Sequence, residues 1–184
     1  MFIQTESTPN PATLKFLPGL TVMDTGTANF SAVDQANASP LALNLFAIDG
    51  ISGVFLGADF VTVTKTGDKE WDIMKPLILG AIMEHYQSGR PVVEGSFEAT
   101  DQTDGSGDDS VVRQIKELIE TRVRPAVAQD GGDIVYHGFE EGVVYLQMQG
   151  ACSGCPSSSA TLKHGIENML RHYVPEVQEV RAVE

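Results

Sequence analysis

The sequence predicts an α+β protein built as two small mixed α/β domains joined by an acidic flexible linker. Three observations carry this expectation. Strand-like and helix-like hydrophobic periods alternate within each half of the chain. The two halves are separated by a polar, acidic stretch. The 184 residues, 42% of them hydrophobic, suffice for two small cores.

The separating stretch, GRPVVEGSFEATDQTDGSGDDS from Gly89 to Ser110, holds six acidic residues, no base after Arg90 and few large apolar side chains after Val93. Such a segment buries too little apolar surface to offset its ordering entropy, and like charges keep it extended. Formal charge is −4 over residues 1–90, −6 over Pro91 to Ser110 and −3 over the remainder, so acidity concentrates where folding is least favoured. The expected organisation is a first domain over 1–90, a linker over 91–109 and a second domain over 110–184.

In the first half, TLKFL (Thr13 to Leu17), GVFLG and FVTVTK read as short strands. Ser39 and Pro40 suit the N-cap and first position of a helix running to Ala47. From Trp71 onward, Met74, Leu77, Ile78, Ala81, Ile82 and His85 recur at helical spacing, with Pro76 tolerable in a first turn. His85 reads as a packing or surface residue.

In the second half, Val111, Ile115, Leu118 and Ile119 mark a helix capped by Ser110 and predicted to stop before Pro125. DIVYHGF and VVYLQM read as strands joined at Glu141-Gly142, a hairpin turn. A second helix carries Leu162, Ile166, Met169, Leu170 and Tyr173, stops at Pro175, and precedes a weak strand near Val180. The order is α-β-β-α-β.

A net charge of −13 without a basic stripe argues against nucleic acid. No apolar run nears the ~20 residues of a membrane span, and MFIQTESTPNP lacks the basic start and apolar stretch of a signal peptide. The expected address is the cytoplasm, as for a bacterial protein, with a processed protein of the mitochondrial matrix as the alternative.

The chemistry concentrates in GACSGCPSSS, which holds both cysteines of the chain, Cys152 and Cys155. Pro156 suits the first position of the second helix and puts Cys155 at or beside its N-cap. There the free N–H groups of Ser157, Ser158 and Ser159 and the helix dipole favour thiolate. From Gly142 to Ile166 there is no acidic residue and Lys163 is the sole formal charge, a pattern that suits an anionic centre.

A single C-x-x-C admits three readings. It can be a redox dithiol between strand and helix, as in a thiol-disulfide oxidoreductase, although only one strand follows the helix here. It can hold one soft ion such as Cu(I), with Met148 a loose fit for the methionine of such loops. It can also supply half of a four-thiolate site, zinc or iron-sulfur, completed by a second copy across a twofold axis.

RPAVAQDGGDIVYHGF followed by VYLQMQGACSGCPSSSATLKHGIENML resembles the C-terminal domain of NifU-like proteins, the Nfu iron-sulfur scaffold and carrier family. DGGD, GAC-x-x-CPSSS and TLK-x-GIE occur together and in order, within a match from Ser110 to Glu184. IQTESTPNPATLKFLPG, with the later helix from Met74 to Tyr86, is similar to the Nfu N-terminal domain. The resemblance implies that Cys152 and Cys155 ligate a 4Fe-4S cluster, in preference to 2Fe-2S, bridged between two protomers and delivered to apo-proteins. It thus implies a non-enzymatic carrier whose partners are upstream cluster donors, apo iron-sulfur clients and, when loaded, its own twin. The first domain is expected to dock clients or donors. For Asp130, Gly131, Gly132 and Asp133 two roles are open: a positive-φ turn that brings this loop toward the cysteines, or a plain connection of helix to strand, the favoured reading. His137 and His164 are not expected as ligands, and Lys163 reads as a solvated surface residue.

Overall fold

The computed structural model describes residues 1–95, 110–153 and 156–183, the side chains of 156–159 excepted. The chain divides into two compact units, Met1–Thr100 and Asp101–Glu184. Of the predicted linker, residues 96–109 lie outside the described residues. Its opening residues are not extended away from the fold: Val92 and Val93 pack against the first core. Ser39 Oγ donates to the Val92 carbonyl at 2.6 Å, and Glu94 N–H donates to the Ala38 carbonyl at 2.7 Å. Two partly buried valines and two hydrogen bonds outweigh the acidic composition there.

Unit 1 is an antiparallel five-stranded sheet with helices packed against it. The strands β1 (Gln4–Ser7), β2 (Thr13–Leu17), β3 (Ala28–Phe30), β4 (Ile51–Leu56) and β5 (Val61–Lys65) lie in the order β1-β2-β5-β4-β3. The register pairs Leu14 and Val54 with Val63, and Phe16 and Leu56 with Val61, so one face carries a continuous apolar layer. Helices α1 (Pro40–Phe46) and α2 (Trp71–Ser88) bury Leu41, Leu45, Met74, Ile78 and Ile82 in the same core as that layer. The predicted cap is present: Ser39 Oγ accepts from Ala42 N–H at 3.1 Å while Pro40 opens α1.

Helix α2 departs from expectation twice. Leu77 is 53% exposed, because the buried line runs through Met74, Ile78, Ile82 and His85. Pro76 falls in the second turn, on an exposed flank where water can satisfy the carbonyl that proline leaves without a donor. His85 is 1% exposed and neither ring nitrogen has a hydrogen-bond partner. Burial, aided by the nearby positive charge of Arg90, lowers its pKa.

In unit 2, α3 (Ser110–Leu118) runs through a π-helical turn (Ile119–Val123) into α4 (Arg124–Gln129). The helix therefore does not stop before Pro125. The Arg124 N–H bonds to the Ile119 carbonyl five residues back, and Pro125 falls in the opening turn of α4, where its missing N–H leaves no gap. The longer helix adds Val123 and Val127 to Ile115 and Ile119 in the core. Strands β6 (Gly132–Glu140) and β7 (Val143–Gly150) form the predicted hairpin, with positive φ at both Glu141 and Gly142. Helix α5 (Pro156–Tyr173) then crosses back so that β8 (Glu179–Val183) pairs parallel to β7, in the order β6-β7-β8. Ile166 and Leu170 of α5 pack into the same core.

Two outcomes are expected for unit 1, whose Trp71 is the chain's only tryptophan and a natural unfolding probe. Ser39→Ala removes a cap and strands the Val92 carbonyl, and should cost about 1–3 kcal/mol in urea unfolding followed by Trp71 fluorescence. His85 is held neutral, so the stability tied to it is present above about pH 6.5 and is lost as pH falls through its lowered folded-state value. His85→Leu should therefore flatten the acid side of the stability profile, gaining more over the parent at about pH 5 than at about pH 7.5.

Candidate metal centre

The candidate site lies where β7 hands the chain to α5. Strand β7 ends at Gly150 with φ +62°, and Ser153 N–H donates to the Gly150 carbonyl at 3.1 Å, closing a turn around Ala151 and Cys152. Cys152 is 6% exposed and belongs to the core of unit 2. Helix α5 begins at Pro156, as the sequence predicts. Cys155 lies outside the described residues, and so does its predicted place at the helix cap.

The Asp130–Asp133 turn meets this loop directly. Gly131 adopts φ +78°, its N–H donates to the Ala128 carbonyl at 3.0 Å, and its own carbonyl accepts from Ala151 N–H at 3.1 Å. Gly132 then pairs with Gly150 as β6 begins. A Cβ on Gly132 would overlap Cys152 Sγ and would stand 2.9 Å from the Cys152 nitrogen and 3.0 Å from the Gln149 carbonyl. The favoured expectation of a plain connector is thus corrected: the glycines bring the turn onto the cysteine loop, because only a residue without a side chain leaves room for the thiol.

Asp133 fixes this turn to the helix before it. It is 3% exposed, and its two carboxylate oxygens accept from Arg124 Nε and Nη2, each at 2.9 Å. Ile134 N–H also donates to Asp133 Oδ1 at 2.8 Å. Arg124 donates through Nη1 to Glu120 at 2.7 Å, and its guanidinium is held above its ordinary pKa, chiefly by the Asp133 hydrogen bonds. Sequence reasoning missed Arg124. An arginine beside a proline at a predicted helix end carries no visible partner, and the π turn, by adding a residue to one helical turn, resets the face on which Arg124 emerges.

The remaining candidates stand apart. His137 is exposed on β6, and His164 is exposed on α5. The hydrogen bonds from Arg181 lower the pKa of Glu179, and the charge of Lys163 adds a smaller effect in the same direction. Among the described residues, no three His, Cys, Asp or Glu side chains gather into a metal-binding group.

Arg124→Met should destabilise unit 2 by about 3–5 kcal/mol, because it leaves the Asp133 carboxylate buried without its counter-charge. Amide hydrogen exchange of β6 and β7 in the full chain should read the loss, and Arg124→Met combined with Asp133→Leu should recover part of it.

Comparison with known proteins follows the same division. The model "Scaffold protein Nfu/NifU N terminal" matches residues 3–89, and the model "NifU-like domain" matches residues 115–181. The chain is 59% identical to "NifU-like protein 4, mitochondrial" of Arabidopsis thaliana over 98% of its own length and 65% of that protein's. It is 50% identical to "NFU1 iron-sulfur cluster scaffold homolog, mitochondrial" of Homo sapiens over all of its own length and 72% of that protein's. Among solved structures, a NifU-like protein from Saccharomyces cerevisiae covers 50% of this chain and 84% of its own at 28% identity and a TM-score of 0.46. The cytoplasmic expectation is corrected by these names, since both relatives are called mitochondrial. A leader removed after import leaves no mark on folded domains, so their residues are silent about address. The chain belongs to the NifU-like (Nfu) family.

Proposed function

We propose that the chain is a non-enzymatic iron-sulfur cluster scaffold and carrier that takes up a 4Fe-4S cluster on Cys152 and Cys155, shared between two copies, and passes it to apo-proteins. Relatives named iron-sulfur cluster scaffold homologues support the scaffold role, and the mitochondrial address of the relatives is carried over with it. The observation that carries the reading is the placement of Cys152 in the turn between β7 and α5, on the Asp130–Asp133 turn.

Each copy brings two cysteines, whereas such a cluster commonly takes four protein thiolates, so a twofold pair completes the set. The first-turn amides of α5 and the absence of acidic residues from Gly142 to Ile166 favour an anionic cargo there. Transfer is ligand exchange: each client thiolate forms an iron-sulfur bond as one carrier bond breaks, and the cluster's electrons are unchanged. Unit 1 docks donors or clients, and tethering it to the cluster-bearing unit raises the effective concentration of the two reactants.

The rival reading, a thiol-disulfide oxidoreductase using the same pair, is separated from this one by iron content and by disulfide-reducing activity. Anaerobic reconstitution should give a brown protein with about four irons per two chains that sediments as a dimer. Cys152→Ala and Cys155→Ala should each abolish iron binding while the fold persists. A colourless protein, or full iron retention by either variant, would overturn the reading.

A further inference from the structure

Cys152, as the fold seats it, is not poised for a ligand shared with another molecule. It is 6% exposed, clustered with Val127, Ile134 and Ile166 in the core of unit 2, and its Sγ occupies the space that a Cβ on Gly132 would take. A cluster bridged between two copies has to meet both of them at a surface. The thiol must therefore leave this seat to be loaded and can return to it when the cargo departs.

We propose that the hollow over Gly132 is a competing seat for the Cys152 side chain, which withdraws one cluster ligand in the unloaded chain and favours release of the cluster. This deepens the proposed function and rests on Cys152 being a ligand. Three features fit a segment with two arrangements. Gly150 and Gly131, both at positive φ, bracket the contact, and glycine is the residue that changes backbone conformation at least cost. A backbone bond, Ala151 N–H to the Gly131 carbonyl, joins the two turns at 3.1 Å. Gln149, paired with Asp133 across the hairpin, is 3% exposed with its side-chain oxygen lacking a hydrogen-bond partner, an unmet acceptor beside the turn that would have to move.

The return step balances simply. One iron–Sγ bond breaks as a client thiolate forms its own, and the proton given up by the client thiol is matched by the one Cys152 regains as it enters an apolar site. Burial of the thiol against apolar neighbours then offsets part of the lost metal bond. A carrier built this way holds its cargo less tightly than an exposed thiolate pair would, which suits a protein that must let go.

Gly132 does not have positive φ, so alanine is not strained in φ there; its Cβ displaces the thiol and also presses on the Cys152 nitrogen and the Gln149 carbonyl, which must give by a few tenths of an ångström. The test uses metal-free full-length Cys155→Ser, in which Cys152 is the one thiol, and follows its alkylation by iodoacetamide. The native rate should be at least about 100-fold below that in urea, reporting a thiol reached through local opening. Adding Gly132→Ala should raise the native rate roughly tenfold or more. In otherwise parental protein, Gly132→Ala should slow cluster transfer to an apo-ferredoxin.

A native rate within a few fold of the unfolded one would overturn the proposal, as would an unchanged rate in a Gly132→Ala protein whose circular dichroism shows it folded. Should that variant fail to fold, the protection of Cys152 in the Cys155→Ser chain decides alone. Alkylation is read without iron, so its outcome is separate from the iron content that tests the ligand assignment.

Discussion

The geometry of unit 2 depends on one part-buried ion pair, Arg124 with the buried Asp133. A bidentate guanidinium–carboxylate contact fixes both distance and plane, so it holds the start of α4 against the start of β6 as a hinge pin holds a leaf. Asp133 lies immediately after Gly131 and Gly132, and Arg124 opens the short helix that leads into them. Through Gly131 the constraint reaches Ala151 by a backbone bond, and through Gly132 it reaches the Cys152 thiol by contact. A residue whose side chain never approaches the cysteine in sequence thus governs where the cysteine sits.

The π turn makes that pair possible. An uninterrupted α-helix would meet Pro125 with a steric clash and a missing donor, and would present Arg124 on another face. Widening one turn absorbs the proline, extends the apolar line to Val123 and Val127, and sets Arg124 toward Asp133. Here a local irregularity serves packing and site construction together, the usual circumstance in which such turns persist.

Unit 1 is held by different means. Its sheet is fully antiparallel, its core continuous from Phe16 to Ile82, and its closing segment is tied back by Ser39, whose hydroxyl serves as helix cap and as donor to Val92 at once. The unpartnered imidazole of His85 is the exception inside that core. It makes the unit's stability responsive to acid while contributing apolar volume at neutral pH.

The sequence by itself determined the α+β class, the α-β-β-α-β order, the hairpin at Glu141-Gly142, the Ser39-Pro40 helix start and the cysteine loop. Each of these is written in residues close together: periodicity, a cap, a turn that needs positive φ, a proline at a helix start. The structure alone decided what depends on contacts between distant residues. The reach of the first helix past Pro125, the partnership of Arg124 with Asp133, and the seating of Cys152 on Gly132 join residues that local patterns cannot pair. Gly132 shows the limit most clearly. Its sequence context says that a side chain is absent, and only the folded chain says that a sulfur atom fills the space.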